Sequence, residues 1–270
     1  MRYKVEAVQL KSPSKKESED AYVLHEEAGV FGVFDGATPL VSFEDEDGHN
    51  GAYLAAHHFR EQLQGMDAND TLIQTVEAAN TRLYENMVAC GVDPSKGEER
   101  WSTCVAAVKL ESTHFYYAHL GDSMVIAGDK KGDVHVLTTD TVAGISDRAK
   151  KKRAEDREEG RAVQEESYYD VLLHKLQYNR RLANVPGGYT VANGMPEVMT
   201  HLDTGSYPIK DLEDIWLVSD GLFHPGLSLE ETCRKMKQQG IRSYINDLTA
   251  YLEKHRHPID DRTVVHLRFT

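Results

Sequence analysis

The stretch GVFGVFDGAT, residues 29–38, runs from an apolar segment straight into an acid, Asp35. Its valines and phenylalanines favour a β-strand, and because both faces are apolar the strand is predicted to be buried on both sides. A carboxylate at the end of such a strand is poorly solvated unless a cation lies beside it. Two interpretations are open at this point. One is an Asp-Gly turn that closes a hairpin, and the other is a metal or phosphate site, which needs more acids.

Further acids stand beside apolar strands elsewhere in the chain. Asp220 follows the run IWLVS, Asp260 and Asp261 precede RTVVHLRF, and Glu19 and Asp20 begin a predicted strand. If these strand ends converge, the carboxylates repel one another unless cations neutralise them. Oxygen ligands without histidine or cysteine at ligand spacing select Mg²⁺ or Mn²⁺ over zinc. Two such ions about 4 Å apart would acidify one water and produce a hydroxide that attacks phosphorus.

The composition limits the class of protein. The chain has 270 residues, a formal net charge of −13 and no apolar run approaching the roughly 18 residues of a membrane span. Its acidic balance argues against nucleic acid as a partner. The three cysteines, Cys90, Cys104 and Cys233, are widely spaced, and the start of the chain lacks the apolar centre of a signal peptide. We therefore expect a cytoplasmic monomer that binds neither nucleic acid nor a membrane.

The order of predicted elements indicates the architecture. No internal repeat divides the chain, which is predicted to form a single domain over residues 1–270. Strands come first, then two helices, more strands, a charged insert, a strand, two helices and a last strand. Asp70 is predicted to cap the second helix, which Gly91 closes, and Ser228 with Glu231 predicts a capping box. Strands that neighbour one another, with helices in pairs, predict two packed sheets flanked by helices.

Six short motifs together resemble one known family, the type 2C metal-dependent protein phosphatases, and its compact bacterial members most. They occur in that family's order and span nearly the whole chain: EDAYV (19–23), FGVFDG (31–36), STCVAAV (102–108), LGDSMVI (120–126), LVSDGLF (217–223) and DDRTVVHLRF (260–269). The resemblance implies an α+β fold, a four-layer α-β-β-α sandwich with two central antiparallel sheets. It also implies two Mn²⁺ or Mg²⁺ ions and hydrolysis of phosphoserine and phosphothreonine in signalling proteins.

The resemblance assigns roles to particular residues. Asp35 would bridge both metals, and Gly36 would offer its carbonyl. Asp220 and Asp260 would hold one metal, and Glu19 or Asp20 would act through coordinated water. Asp122 would help hold a weaker third metal. The family carries a variable flap where this chain has residues 143–193.

Two departures from the family pattern affect the predicted chemistry. Ala37 stands where many members have a histidine that protonates the leaving alcohol. His224, four residues beyond Asp220, is then a candidate substitute proton donor. Lys15 and Lys16 occupy the neighbourhood of an arginine that binds the substrate phosphate, and a lysine supplies a point charge in place of a bidentate fork.

The predicted function is therefore metal-dependent hydrolysis of phosphoserine and phosphothreonine in proteins. Two alternatives stay open at the level of the sequence. A pseudophosphatase would use the same fold to bind or sense a partner, and a phosphohydrolase would act on a small phosphoester. The core acids Asp35, Asp220 and Asp260 are all present, which disfavours the pseudophosphatase.

Overall fold

The computed structural model describes residues 2–270 of the chain. Ten strands and six α-helices are found in this range. The strands are Tyr3–Leu10 (β1), Asp20–His25 (β2), Val30–Gly36 (β3), Thr103–Leu110 (β4), His114–Leu120 (β5), Met124–Asp129 (β6), Val134–Val136 (β7), Asp203–Pro208 (β8), Leu212–Val218 (β9) and Arg262–Phe269 (β10). The helices are Gly51–Gln64 (α1), Leu72–Ala89 (α2), Ile145–Glu158 (α3), Leu172–Arg180 (α4), Leu229–Gln239 (α5) and Ile241–His255 (α6).

The strands form two five-stranded antiparallel sheets. One sheet has the order β1-β10-β9-β6-β7 and the other has the order β2-β3-β4-β5-β8. Helices α1 and α2 pack on the outer face of the second sheet, and α5 and α6 pack on the outer face of the first. A third apolar core lies between the sheets. The predicted α-β-β-α sandwich with α+β character is confirmed.

Strand β3 shows why its sequence does not alternate between apolar and polar residues. Val30 and Phe34 pack toward α1 and α2, whereas Phe31 and Val33 pack into the core between the sheets. Because neighbouring strands cover its edges and apolar layers cover both faces, every position before the acid is buried. The prediction of a strand buried on both sides is confirmed.

Local signals at the helix ends were mostly informative. The Ser228 hydroxyl accepts from the Glu231 amide, and the Glu231 carboxylate accepts from the Ser228 amide, so the predicted capping box is confirmed. The predicted cap of α2 was wrong by one residue. Thr71 caps the helix through its hydroxyl, whereas the Asp70 side chain accepts from the amide of Asp67 in the preceding loop.

One strand lay outside the expected element order, whereas the charged insert lies where it was expected. Strand β8, with the sequence DTGSYP, was missed because it contains glycine and ends in proline, residues that are rare inside a sheet. It is an edge strand, where a missing amide hydrogen is tolerated. The charged insert, residues 143–193, lies between β7 and β8 and holds α3 and α4. We call it the flap. The single-domain organisation stays a prediction. Within residues 2–270, no helix is long and apolar enough to cross a membrane.

Candidate metal and phosphate site

The predicted acids meet at one edge of the sandwich. Asp35 is the last residue but one of β3 and pairs across the sheet with Asp20, the first residue of β2. Asp220 follows β9, Asp260 lies just before β10, and Asp122 lies in the turn between β5 and β6. A cleft of about 190 Å³ opens over this edge, and all of these aspartates except Asp20 line it. Asp20 lies beneath the cleft, where its carboxylate accepts from the Ser219 hydroxyl at 2.9 Å.

Glycine at two positions allows this close approach of backbone segments. A side chain on Gly36 would place its Cβ 2.5 Å from the carbonyl oxygen of Ala52 and 2.6 Å from that of Glu19. A side chain on Gly221 would collide with the backbone of Asp261. Both glycines directly follow a site aspartate, so the Asp-Gly pair reflects tight packing of the strand ends and not a two-residue hairpin.

Burial and mutual repulsion disfavour the ionised carboxylates. Burial raises the pKa of Asp20 to about 7. Nearby acids add to this effect, and hydrogen bonds oppose it in part. Burial and the charge of Asp220 raise the pKa of Asp122 to about 8. Burial and the charge of Asp260 raise the pKa of Asp220 to about 6. Burial is the main cause that raises the pKa of Asp35 well above the ordinary value, and the charges of the neighbouring aspartates raise it further.

The donor set fits hard divalent cations. Four aspartates line the cleft, and among the described residues no histidine lines it. Carboxylate oxygens are the ligands that Mg²⁺ and Mn²⁺ prefer. A bound cation would remove the repulsion that raises these pKa values.

The structure separates the two candidate lysines. The Lys15 ammonium lies 2.8 Å from the Glu19 carboxylate, 2.9 Å from that of Asp260 and 3.0 Å from that of Asp261, and its side chain lines the cleft. Burial disfavours its charge, but the hydrogen bonds to these three acids outweigh burial and raise its pKa. Lys16 is exposed and is not among the cleft-lining residues.

Asp261 has a structural position beside the cleft. One of its carboxylate oxygens accepts from the Ser12 amide at 2.6 Å, and the other accepts from the Glu19 amide at 2.8 Å and from Lys15. Asp261 therefore fixes the loop that carries Lys15 and Glu19 against the start of β10. Asn50, the N-cap of α1, donates to the other side of Glu19 at 2.5 Å.

Sequence reasoning missed Arg180, a flap residue that lines the cleft. It ends α4, is nearly buried, and donates to the Ser102 hydroxyl at 3.0 Å and to the Thr38 carbonyl at 2.8 Å. The Ser102 carbonyl in turn accepts from the amide of Ala37. Arg180 thus fastens the flap to the loop that follows Asp35. In the sequence it is one arginine in a long charged segment, and nothing in its spacing distinguishes it.

Other residues considered from the sequence lie outside this chemistry. His224 contacts Tyr251 and accepts from the Gly226 amide, and it does not line the cleft. Cys104 does line the cleft, but burial raises the pKa of its thiol, as in an inert buried cysteine. Asp45, Asp47 and His49 form a separate group in the loop before α1, with their ligand atoms within 4.8 Å of one another.

Comparison with known proteins identifies the family. The family model described as protein phosphatase 2C matches residues 14–261, so the chain belongs to the protein phosphatase 2C family. This confirms the class of protein that the motifs indicated. A search of curated protein sequences gave no match.

Similar solved structures share the fold at low sequence identity. The serine/threonine phosphatase Stp1 from Staphylococcus aureus is 14% identical, with a TM-score of 0.62 over 100% of this chain and 96% of that chain. PppA, a regulatory component of T6SS in Pseudomonas aeruginosa, is 16% identical, with a TM-score of 0.63 over 99% and 98%. The catalytic domain of the phosphatase PstP, in complex with two manganese ions, is 16% identical, with a TM-score of 0.58 over 98% and 97%.

Proposed function

We propose that this chain is a Mn²⁺- or Mg²⁺-dependent phosphatase that acts on phosphoserine and phosphothreonine in proteins. One observation carries the proposal: four aspartates near strand ends line a single cleft. Lys15, the one lysine among the described residues that line this cleft, forms an ion pair with Asp260. An all-carboxylate cluster with raised pKa values is unstable by itself and is favourable with divalent cations. Membership of the protein phosphatase 2C family supports the same reaction.

We assign the metal ligands from their positions at this edge. Asp35, Asp220 and Asp260 would hold the cations together with the carbonyl of Gly36. Asp122, which would help hold a weaker third cation, follows Gly121, whose amide donates to the flap residue Thr190. Asp20 and Glu19 lie beneath and beside the cleft and would contribute through water. Bound Mn²⁺ or Mg²⁺ would supply an activated water and neutralise charge on the phosphoryl group.

The remaining roles belong to basic side chains of the protein. Lys15 lines the cleft, and its three donors are taken by Glu19, Asp260 and Asp261. When a cation binds Asp260, the donor that Asp260 releases would bind a non-bridging phosphate oxygen. Arg180 would hold the flap over the substrate through Thr38 and Ser102. With Ala37 in place of histidine and His224 outside the cleft, no histidine among the described residues lines the cleft, so we assign protonation of the leaving serine or threonine oxygen to solvent.

The test is phosphate release from a phosphothreonine peptide and from p-nitrophenyl phosphate, each with and without Mn²⁺. We expect Mn²⁺-dependent release from both, and loss of release in Asp35→Asn and Asp220→Asn. Asp133→Asn, an exposed hairpin acid, is the matched control and should keep full activity. Release from the small ester alone would favour a metabolite phosphohydrolase. No release under any metal condition would favour a binding or sensing module.

We also propose that the protein is a cytoplasmic monomer that acts in signalling. The three cysteines, Cys90, Cys104 and Cys233, are free thiols, and a reducing compartment keeps them so. Light scattering at working concentration tests the monomer, and a two-fold larger mass would contradict it.

A further inference from the structure

A groove of about 540 Å³ lies on the outer face of the second sheet, and we call it the β8 groove. The start of α2 forms one wall, and Thr204 and Ser206 of β8 form the other. Lys109 lines it five residues along β4 from Cys104, the partner of Asp35, which is roughly 17 Å at about 3.4 Å per residue. The β8 groove shares no lining residue with the cleft, so it is a separate site.

Strand β8 offers an open hydrogen-bonding edge beside this groove. It comes last in the order β2-β3-β4-β5-β8, so β5 is the one described strand that pairs with it. The Ile209 amide donates to the Thr113 carbonyl at 2.9 Å, and in an antiparallel pair such bonds recur at every second residue. Thr204 and Ser206 therefore direct their amides and carbonyls away from β5. Both residues are exposed.

The middle of β8 lacks the features that normally protect an edge strand. Its acid, Asp203, and its proline, Pro208, stand at the two ends, and the residues between them are Thr-Gly-Ser-Tyr. Natural proteins usually place charges, proline or a bulge along an open edge, because an unprotected edge pairs with another extended chain. The main-chain groups of β8 thus select an extended backbone as the occupant of the groove.

The β8 groove places an apolar surface next to that edge. Ile73 is 48% exposed and Tyr116 is 44% exposed, and both line the groove. Lys109 is 6% exposed, and its ammonium donates to the carbonyls of Ala68 and Asp70, so its charge is already satisfied. Adjacent exposed apolar side chains are typical of interaction sites. Because side chains alternate along a strand, a segment paired with β8 would place every second side chain over this surface.

The rim of the β8 groove is acidic. Asp70 and Glu111 line it, and both are exposed. The Asp70 carboxylate accepts from the Asp67 amide, and within residues 2–270 neither carboxylate forms an ion pair. Interfaces pair a patch of one charge with a patch of the opposite charge, which raises the rate of association and excludes wrong partners. The acidic rim therefore favours an occupant that carries lysine or arginine.

We propose that the β8 groove docks an extended segment of a partner protein, which pairs with β8 and lengthens the sheet by one strand. The segment carries a large apolar residue that packs on Ile73 and Tyr116, and a lysine or arginine close to it that pairs with Asp70 or Glu111. This inference goes beyond the proposed function and does not rest on it, because the groove contains none of the residues of the cleft.

The probe is a random peptide library displayed on phage and selected on the immobilised protein. We expect the selected peptides to share an apolar residue close to a lysine or arginine. For synthetic peptides of these sequences, Kd should rise about tenfold or more in Ser206→Pro, which removes an outward amide, and in Ile73→Glu, which places a charge in the groove. In NMR spectra the amides of Thr204 and Ser206 should exchange more slowly with solvent when the peptide is bound.

Two matched variants separate docking from general damage. Ser206→Ala keeps the amide and removes only the hydroxyl. Val88→Glu places the same charge on α2 at a position that is 50% exposed and lies outside the groove. Both should bind the peptides with the Kd of the wild type. The Tm of each variant reports whether it folds, and if Ser206→Pro does not fold, Ile73→Glu and the amide exchange decide.

Three results would overturn the inference. The library could yield no binding peptide, or the selected peptides could bind Ile73→Glu as tightly as the wild type and leave the exchange of the Thr204 and Ser206 amides unchanged. A two-fold larger mass in light scattering that Ser206→Pro abolishes would assign the edge to a second copy of the chain instead. Each of these results leaves the proposed function intact, because phosphate release is measured separately.

Discussion

Lys15→Met provides a sharp test of the charge arrangement at the site. Methionine keeps an unbranched side chain and removes the ammonium that Glu19, Asp260 and Asp261 share at 2.8 to 3.0 Å. The Asp260 side chain is 54% exposed, so that pair contributes about 0–1 kcal/mol. The Glu19 and Asp261 side chains are only 9% and 2% exposed. Removing one partner of a buried pair costs about 3–5 kcal/mol.

The expected loss lies at the lower end of that range. Lys15 itself is 25% exposed, and Asp261 keeps its hydrogen bonds from the amides of Ser12 and Glu19. We therefore expect metal-free Lys15→Met to lose about 3 kcal/mol of unfolding free energy. In a chain of 270 residues that corresponds to a fall in Tm of roughly 5 °C.

The assay is thermal unfolding after treatment with EDTA and again with added Mn²⁺. Because a cation bound at Asp260 would replace part of the lost charge, Mn²⁺ should raise the Tm of Lys15→Met more than that of the wild type. Lys16→Met, in the exposed neighbour, is the control and should melt like the wild type. A metal-free Lys15→Met that melts within about 1 °C of the wild type would refute the reasoning, because about 1 kcal/mol already shifts Tm by about 2 °C.

Three further predictions concern pH, the flap and the leaving group. In the metal-free protein, Asp20 and Asp122 have folded-state pKa values of about 7 and about 8, against an ordinary 3.8, so the folded state binds more protons between these limits. The free energy of unfolding of the metal-free protein should therefore fall as pH rises from about 5 to about 8, and saturating Mn²⁺ should flatten that dependence. A metal-free Tm that rises with pH over this range would contradict the prediction. Arg180→Ala should expose the flap to limited proteolysis and lower kcat/KM for phosphopeptides several-fold more than for p-nitrophenyl phosphate, and an unchanged digestion pattern would show that the flap is held by other contacts. Ala37→His should reduce the dependence of kcat on leaving-group pKa across a series of phosphate esters, because a placed imidazole contributes about 10²-fold or more with poor leaving groups; parallel slopes would exclude it as a proton donor.

Local sequence signals were sufficient wherever the physical cause was local. The capping box of α5 involves residues three apart, and the run before Asp35 is apolar on both faces whatever lies beyond it. The cap of α2 was displaced by one residue because Asp70 and Thr71 are both good caps, and only the path of the preceding loop selects between them. Strand β8 was missed because pairing with β5, and not its own composition, makes it a strand.

The residues of the site also divide into those that local sequence indicates and those that only long-range contacts bring together. The sequence alone shows acids at the ends or starts of several apolar strands, which is enough to indicate oxygen-ligated cations and the family. That Lys15 and not Lys16 joins them is visible only in the folded chain, where Lys15 contacts Asp260 across 245 residues. The same holds for Arg180, which reaches Thr38 across 142 residues. Propensity and periodicity reflect the local conformational preferences of residues. These contacts instead depend on how the two sheets and the flap pack together, and that packing depends on interactions throughout the chain.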